Sequence, residues 1–219
     1  MSQNIKYLNR LVLPAVVDSL YMVFFSLIIA TFVGFFFAVI LVVTDKDGLH
    51  PNRVIYRLFN IIINILRSMP FIILAIAIIP VTRFVVGTSI GRTAAIFPLS
   101  IVASALISRL FEGNLKEVNK GMVRAALSFG ATNLQIIFKI MLVEALPSMC
   151  SSLTVAAIGV LSSSAMAGAI GAGGIGAVAV SYGYQSFNDF IIYVCVLILI
   201  VIVQVIQAVG SYAYRRLRR

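Results

Sequence analysis

LVLPAVVDSLYMVFFSLIIATFVGFFFAVILVV, residues 11–43, carries a single charge, Asp18. A helix rises 1.5 Å per residue, and about 20 residues cross a hydrocarbon core of about 30 Å. The stretch is therefore long enough to span a bilayer and to tilt within it. No turn signal inside it is strong enough for a hairpin, so it reads as one long helix. Its length and the lack of a small-residue cleavage site separate it from a removable leader.

The rest of the chain agrees with lipid as its main solvent. Of 219 residues, 61% are apolar and 11% charged, with a mean hydropathy of +1.09. A soluble domain carries about 25% charged residues, and one of this size could not bury so much apolar surface. Four more spans follow: 58–81, interrupted by Arg67 and Pro70; 93–110, with Pro98 inside and Arg109 near its end; 146–170; and 190–209. The expected fold is an all-α integral membrane protein with five transmembrane helices in one domain, residues 1–219.

The charges set the orientation. There are 17 Lys or Arg against 7 Asp or Glu, a net +10. Nucleic-acid binding would need cations clustered on a soluble face, whereas these lie between apolar runs. Eleven fall on the side of the C-terminal tail: Lys46, Arg53, Arg57, Lys116, Lys120, Arg124, Lys139, Arg215, Arg216, Arg218 and Arg219. Four fall on the other: Lys6, Arg10, Arg83 and Arg92. This bias predicts a cytoplasmic C-terminus, and with five spans an external N-terminus. Cys150 and Cys195 lie in apolar surroundings with no CxxC pattern and read as small packing residues.

The longest connection, 111–145, has helical pattern. Val118, Met122, Ala125 and Phe129 recur at three- and four-residue steps and predict one apolar stripe, with Lys116, Lys120 and Arg124 opposite it. Gly130 supplies a left-handed stop. Thr132 and Gln135 then have the spacing of a capping box that opens a new helix. Such a basic amphipathic helix either lies on lipid headgroups or docks on a protein. The elbow and cap favour docking, because together they make a rigid lever.

Arg124-Ala125-Ala126, three residues, Gly130, nine residues, then Ile140 and Leu142 resembles the EAA loop of permease subunits of bacterial ABC importers, of the form EAA-x3-G-x9-I-x-L-P. Arg124 replaces the motif's Glu and Val143 its Pro. The blocks Arg67–Leu74, Pro80–Arg83, Gly87–Gly91 and Ser164–Gly176, with Tyr182-Gly183-Tyr184, are similar to the methionine-importer permeases. The resemblance implies a type I importer fold in the bacterial inner membrane. It also implies a coupling helix, carrying Arg124, Ala125, Ala126 and Leu127 before Gly130, that sits in a groove of an ATPase subunit. The partners it implies are a second copy of the chain, two ATPase subunits that bind ATP and Mg, and an external substrate-binding lipoprotein. The implied activity is methionine import by alternating access. The alternatives are a permease for another amino acid or a small peptide, or a membrane scaffold that transports nothing.

Few residues suggest chemistry of their own. Gly171, Gly173 and Gly176 satisfy GxGxxG, but no βαβ unit can surround them between two spans, and a close-packed external turn is expected instead. No G-x-x-x-x-G-K-[ST] motif, catalytic carboxylate pair or Ser-His-Asp set occurs, so no enzyme activity and no cofactor of its own is expected. Ser162, Ser163, Ser164 and Met166 form a small-residue stretch that packs helices or borders the transport path. The resemblance makes Met166 a gate that closes toward the cytoplasm. Asp18 is expected at the membrane interface. Arg67 is expected either to snorkel or to pin the break before Pro70.

Overall fold

In the computed structural model, which describes residues 8–218, the first apolar stretch is a single helix, α1 (Leu13–Thr44), entered through a π-turn at Leu8–Val12. Lys6 and Arg219, two of the cations counted for orientation, lie outside the described residues. α1 packs along α5 (Arg92–Lys116), and this pair is the spine of the bundle. The buried face of α1 carries Ala15, Ser19, Ser26, Ala30, Gly34 and Ala38. Small residues about four apart lie on one helix face and let two backbones approach where no hydrophobic force would draw them together in lipid. At Gly34 a Cβ would meet Ile107 Cγ2 at 2.8 Å and the Ser104 carbonyl at 3.0 Å. The other side of α1 exposes Phe24, Phe32 and Phe36, as a hydrocarbon-facing surface requires.

The second apolar stretch is a broken span. α2 (Arg53–Ser68) starts on Asn52, whose side-chain oxygen accepts from the amides of Val54 and Ile55, each at 3.1 Å. It stops at Met69, and α3 (Phe71–Ala77) leaves at 107°. Pro70 causes the break, since it lacks an amide and biases Met69 toward the extended conformation, observed at ψ 130°. α4 (Ile79–Val86) ends on Gly87, which is left-handed at φ 84°.

Helix fills most of the expected loop 111–145. α5 continues through Leu110 to Lys116, α6 covers Lys120–Ser128, and α7 runs from Asn133 to Gly168 with a π-turn at Ile136–Met141. Only 117–119 and 129–132 are non-helical. The stretch after α7 also departs from an open connection. α8 (Gly174–Val178) folds back against α1 and α7, and the π-turn at Ala179–Tyr184 that follows packs on the last helix, Asp189–Leu217. The expected close approach of backbones is found here: a Cβ on Gly176 would strike the Ala165 carbonyl, and one on Gly168 the Ala177 amide. Ser19 Oγ of α1 accepts from the Ile175 amide at 2.9 Å and fixes the start of α8. α9 (Asp189–Leu217) closes the chain with Ile191 and Cys195 as its buried positions.

The main core joins α1, α5 and α7 through Met22, Leu99, Ile107, Phe111, Ile136 and Val160. Among the described residues four helices are long and apolar enough to span a membrane, and the bent α2–α3 pair makes five. The all-helical, five-span architecture expected from the sequence is present.

Candidate coupling loop and pathway residues

α6 begins at Asn119, whose side chain accepts from the Gly121 amide at 2.7 Å. It ends on Gly130, left-handed at φ 79°. The Gly130 amide donates to the Leu127 carbonyl and the Ala131 amide to the Ala126 carbonyl, both at 3.0 Å. That double return satisfies carbonyls left open at a helix end. Thr132 and Gln135 then form the complete capping box: the Gln135 side chain accepts from the Thr132 amide at 2.9 Å, and Thr132 Oγ1 from the Gln135 amide at 3.4 Å.

The face assignment of α6 needs correction. Val118 is buried, but it lies before the Asn119 turn and does not share the helical phase of the residues after it. Within the helix, Val123 and Ala126 pack on the core. Of the expected apolar stripe, Met122, Ala125 and Phe129 are exposed, with Phe129 at 90%, and Val118 does not share their face. Arg124 and Leu127 are also exposed, while Ile140 and Leu142 are half-buried against the core. The loop thus turns Arg124, Ala125, Leu127 and Phe129 outward, and Ala126 anchors the helix from beneath.

Two ion pairs tie the α1–α2 connection to this loop. Lys116 Nζ reaches Asp45 at 2.8 Å, and Lys120 Nζ reaches Asp47 at 3.4 Å. Burial alone would raise the Asp45 carboxyl, but the Lys116 ammonium and the Lys46 amide outweigh it and hold it below the usual carboxylate range. A cleft lined by Val42, Leu49, Lys116, Val123, Leu127 and Met141 lies between the two segments.

A polar cluster missed in the sequence sits further along α5. Arg109, expected only to end a span, reaches the Asn60 side chain, the Asn64 side chain at 2.9 Å and Glu112 at 2.6 Å. Glu112 is buried and also accepts from Lys116 at 2.8 Å. The four-residue spacing of Glu112 and Lys116 is the available signal; the α2 asparagines have none.

At the other end, Asp18 pairs with Arg92 at 2.7 Å, and the Arg92 guanidinium lies 4.7 Å from the Tyr21 ring centre. Gly91 donates its amide to the Gly171 carbonyl at 3.0 Å. In the small-residue stretch of α7, Ser162 and Met166 share one exposed face, one turn apart, and Ser163 is half-buried. Ser164 turns inward and donates to the Leu161 carbonyl at 2.7 Å. Arg67 is exposed in the last turn of α2 and makes no ion pair among the described residues.

Residues 30–219 match the family described as "Binding-protein-dependent transport system inner membrane component". The chain belongs to that family. A Vibrio cholerae relative named as a probable D-methionine transport system permease protein, MetI, is 46% identical over 209 residues, covering 95% of this chain and 93% of the relative. The Bacillus subtilis methionine import system permease protein MetP is 40% identical over 172 residues, 78% of each chain. Among solved structures, an inward-facing conformation of the MetNI methionine ABC transporter superposes with a TM-score of 0.94 at 39% identity, covering 95% of this chain and 97% of that one. An amino acid ABC transporter described with histidines shares the fold at 19% identity and a TM-score of 0.77. As a family member, the chain is a transport subunit and not an enzyme.

Proposed function

We propose that the chain is the permease subunit of a methionine importer, working as a homodimer with two ATPase subunits and fed by an external binding lipoprotein. The observation that carries this is the outward face of α6. Arg124, Leu127 and Phe129 stand exposed on a helix pinned from below by Val123 and Ala126, which is an uncovered surface suited to a protein groove. The resemblance of the loop to the EAA motif and the relatives named for methionine transport support the same reading.

In this account the loop end faces the cytoplasm, as the eleven cations on that side predict, and the N-terminus lies outside. The ATPase subunits bind ATP and Mg; this chain supplies no site for either. Closure of the ATPase pair pushes α6, and the capped elbow at Gly130 passes the push through Ile140 and Leu142 into α7. Alternating access follows if the two states bind the ATPase pair differently. Ser162 and Met166, on one open face of α7, border the path, with Met166 as a flexible apolar gate that leaves no charge for the substrate to bind. Ser163 and Ser164 space the helices beside it. Arg124, where the motif has Glu, meets an acidic residue of the groove. Purification from membranes in mild detergent tests the assembly: an ATPase subunit is expected to be retained, and its absence would point to a scaffold.

A further inference from the structure

We propose that α2 presents a water-facing wall of the transport path, the stripe Arg53, Arg57, Asn60, Asn64 and Arg67, and that Arg67 meets the carboxylate of the passing amino acid. The proposal rests on the transport reading above and names a residue of the path.

The stripe is set by spacing. Its members fall four, three, four and three apart, which at about 100° per residue keeps all five within about 100° of arc. On one flank Tyr56, Phe59, Ile63 and Leu66 pack against α1 and α5. On the other, Val54, Leu58, Ile61 and Ile65 are exposed and suited to lipid. The arc between them is polar: Arg53, Arg57, Asn64 and Arg67 are exposed and Asn60 is half-buried. A cation inside a membrane faces water or a counter-ion, and Arg67 has no ion-pair partner among the described residues; Arg53 and Arg57, at the cytoplasmic start of the helix, have none either. Arg109 cannot neutralise the stripe. It holds Asn60 and Asn64 from behind and is itself offset by Glu112, so it fixes the rotation of α2 and leaves the stripe open.

Arg67 stands where the span breaks. Pro70 has no amide to give the Leu66 carbonyl, and the 107° turn carries the following chain away from the helix end. The last carbonyls of α2 therefore form a negative helix end in the turn that carries Arg67. A carboxylate on the cation and an ammonium on the carbonyls match the two ends of an amino-acid zwitterion. The rest of the substrate needs no polar partner there. Broken helices at mid-membrane bind substrates in other transporters for the same reason.

Charged thiol reagents test the wall and the cation separately. In the assembled transporter, with Cys150 and Cys195 changed to Ala, single substitutions Arg57→Cys and Asn64→Cys in the stripe, and Ser68→Cys next to Arg67 at the helix end, are compared with Leu58→Cys, Ile61→Cys and Ile65→Cys in inside-out vesicles without ATP. Stripe positions are expected to react with membrane-impermeant methanethiosulfonates and the apolar flank to stay unreacted. Unreactive stripe positions, or equal reaction on both faces, would overturn the wall. At Ser68→Cys the anionic reagent is expected to gain on the cationic one. Arg67→Gln should lower that rate ratio about threefold or more, as one unit charge at this range requires, and Arg67→Lys should keep it. An unchanged ratio in Arg67→Gln would overturn the role of Arg67. The reaction pattern needs no transport, so intact labelling with no methionine uptake by the parent protein would fault the substrate reading and still support the aqueous face.

Discussion

Arg109 and Glu112, one turn apart on α5, form an ion pair at 2.6 Å with side-chain exposures of 18% and 7%. Lys116 approaches the second oxygen of the same carboxylate at 2.8 Å, and the two α2 asparagines accept from the other terminal nitrogen of the guanidinium, while its buried Nε has no partner among the described residues. One buried anion therefore balances two cations and joins α5 to the broken span. Removing one partner of such a group leaves the others uncompensated, at about 3 kcal/mol or more. Glu112→Gln should lower the melting temperature in detergent markedly. The double variant with Arg109→Gln should lose less than the sum of the two single changes, whereas strict additivity would mean the pair is not coupled.

A Cβ added at Gly130 would have no neighbouring atom within 4 Å, so a substitution there meets backbone strain and not a clash. A side chain held at φ 79° costs about 1–2 kcal/mol. Gly130→Leu should fold and retain ATP hydrolysis by the assembled complex while losing uptake, because the elbow no longer transmits movement into α7. Gly130→Asn should be milder, since Asn tolerates that conformation. Normal uptake per ATP in Gly130→Leu would remove the lever from the account.

Asp45 gives a pH dependence with a definite sign. Against the upward pull of burial, Lys116 and the Lys46 amide favour the anion, and the carboxyl titrates below the usual range. A depressed folded-state value stabilises the fold above the unfolded value, about pH 3.9, and that stability is lost as pH falls through the folded value. The stability difference between the parent and Asp45→Asn should be constant near neutrality, begin to fall near about pH 4 and vanish only below the depressed folded value. A difference that grew on acidification would contradict the ion pair with Lys116.

Met166 lies on the open face of α7 with Ser162. Met166→Ala should let a small thiol reagent cross the resting transporter faster than in the parent, with little change in melting temperature because the side chain is half in the open. Equal permeation in both would leave Met166 as a packing residue.

Much of this architecture is legible in the residues. The 33-residue apolar run before Thr44, the left-handed glycine and the Thr132–Gln135 box are local features whose physics is complete within a few residues, and each folds as its pattern requires. What escapes depends on distant partners. The inward side of α6 is not legible in its pattern because apolar groups occur all round it: the Asn119 turn resets the phase after Val118, and only packing on the core selects Val123 and Ala126. The fold-back of α8 is invisible for a related reason, since the glycines around it matter through their nearness to Ala165 and Ser19, which lie outside the segment. Arg109 reads as a span end until α2 brings Asn60 and Asn64 to it.

The central claim is that this chain carries methionine across the membrane under power supplied by another subunit. Its most direct measurement is uptake of labelled methionine at low concentration in cells that lack their own methionine permease and express this chain with its ATPase and binding protein. Uptake should appear with the chain, and should fall to background when the chain is omitted or the ATPase is inactivated. Uptake that is the same with and without the chain would contradict the account.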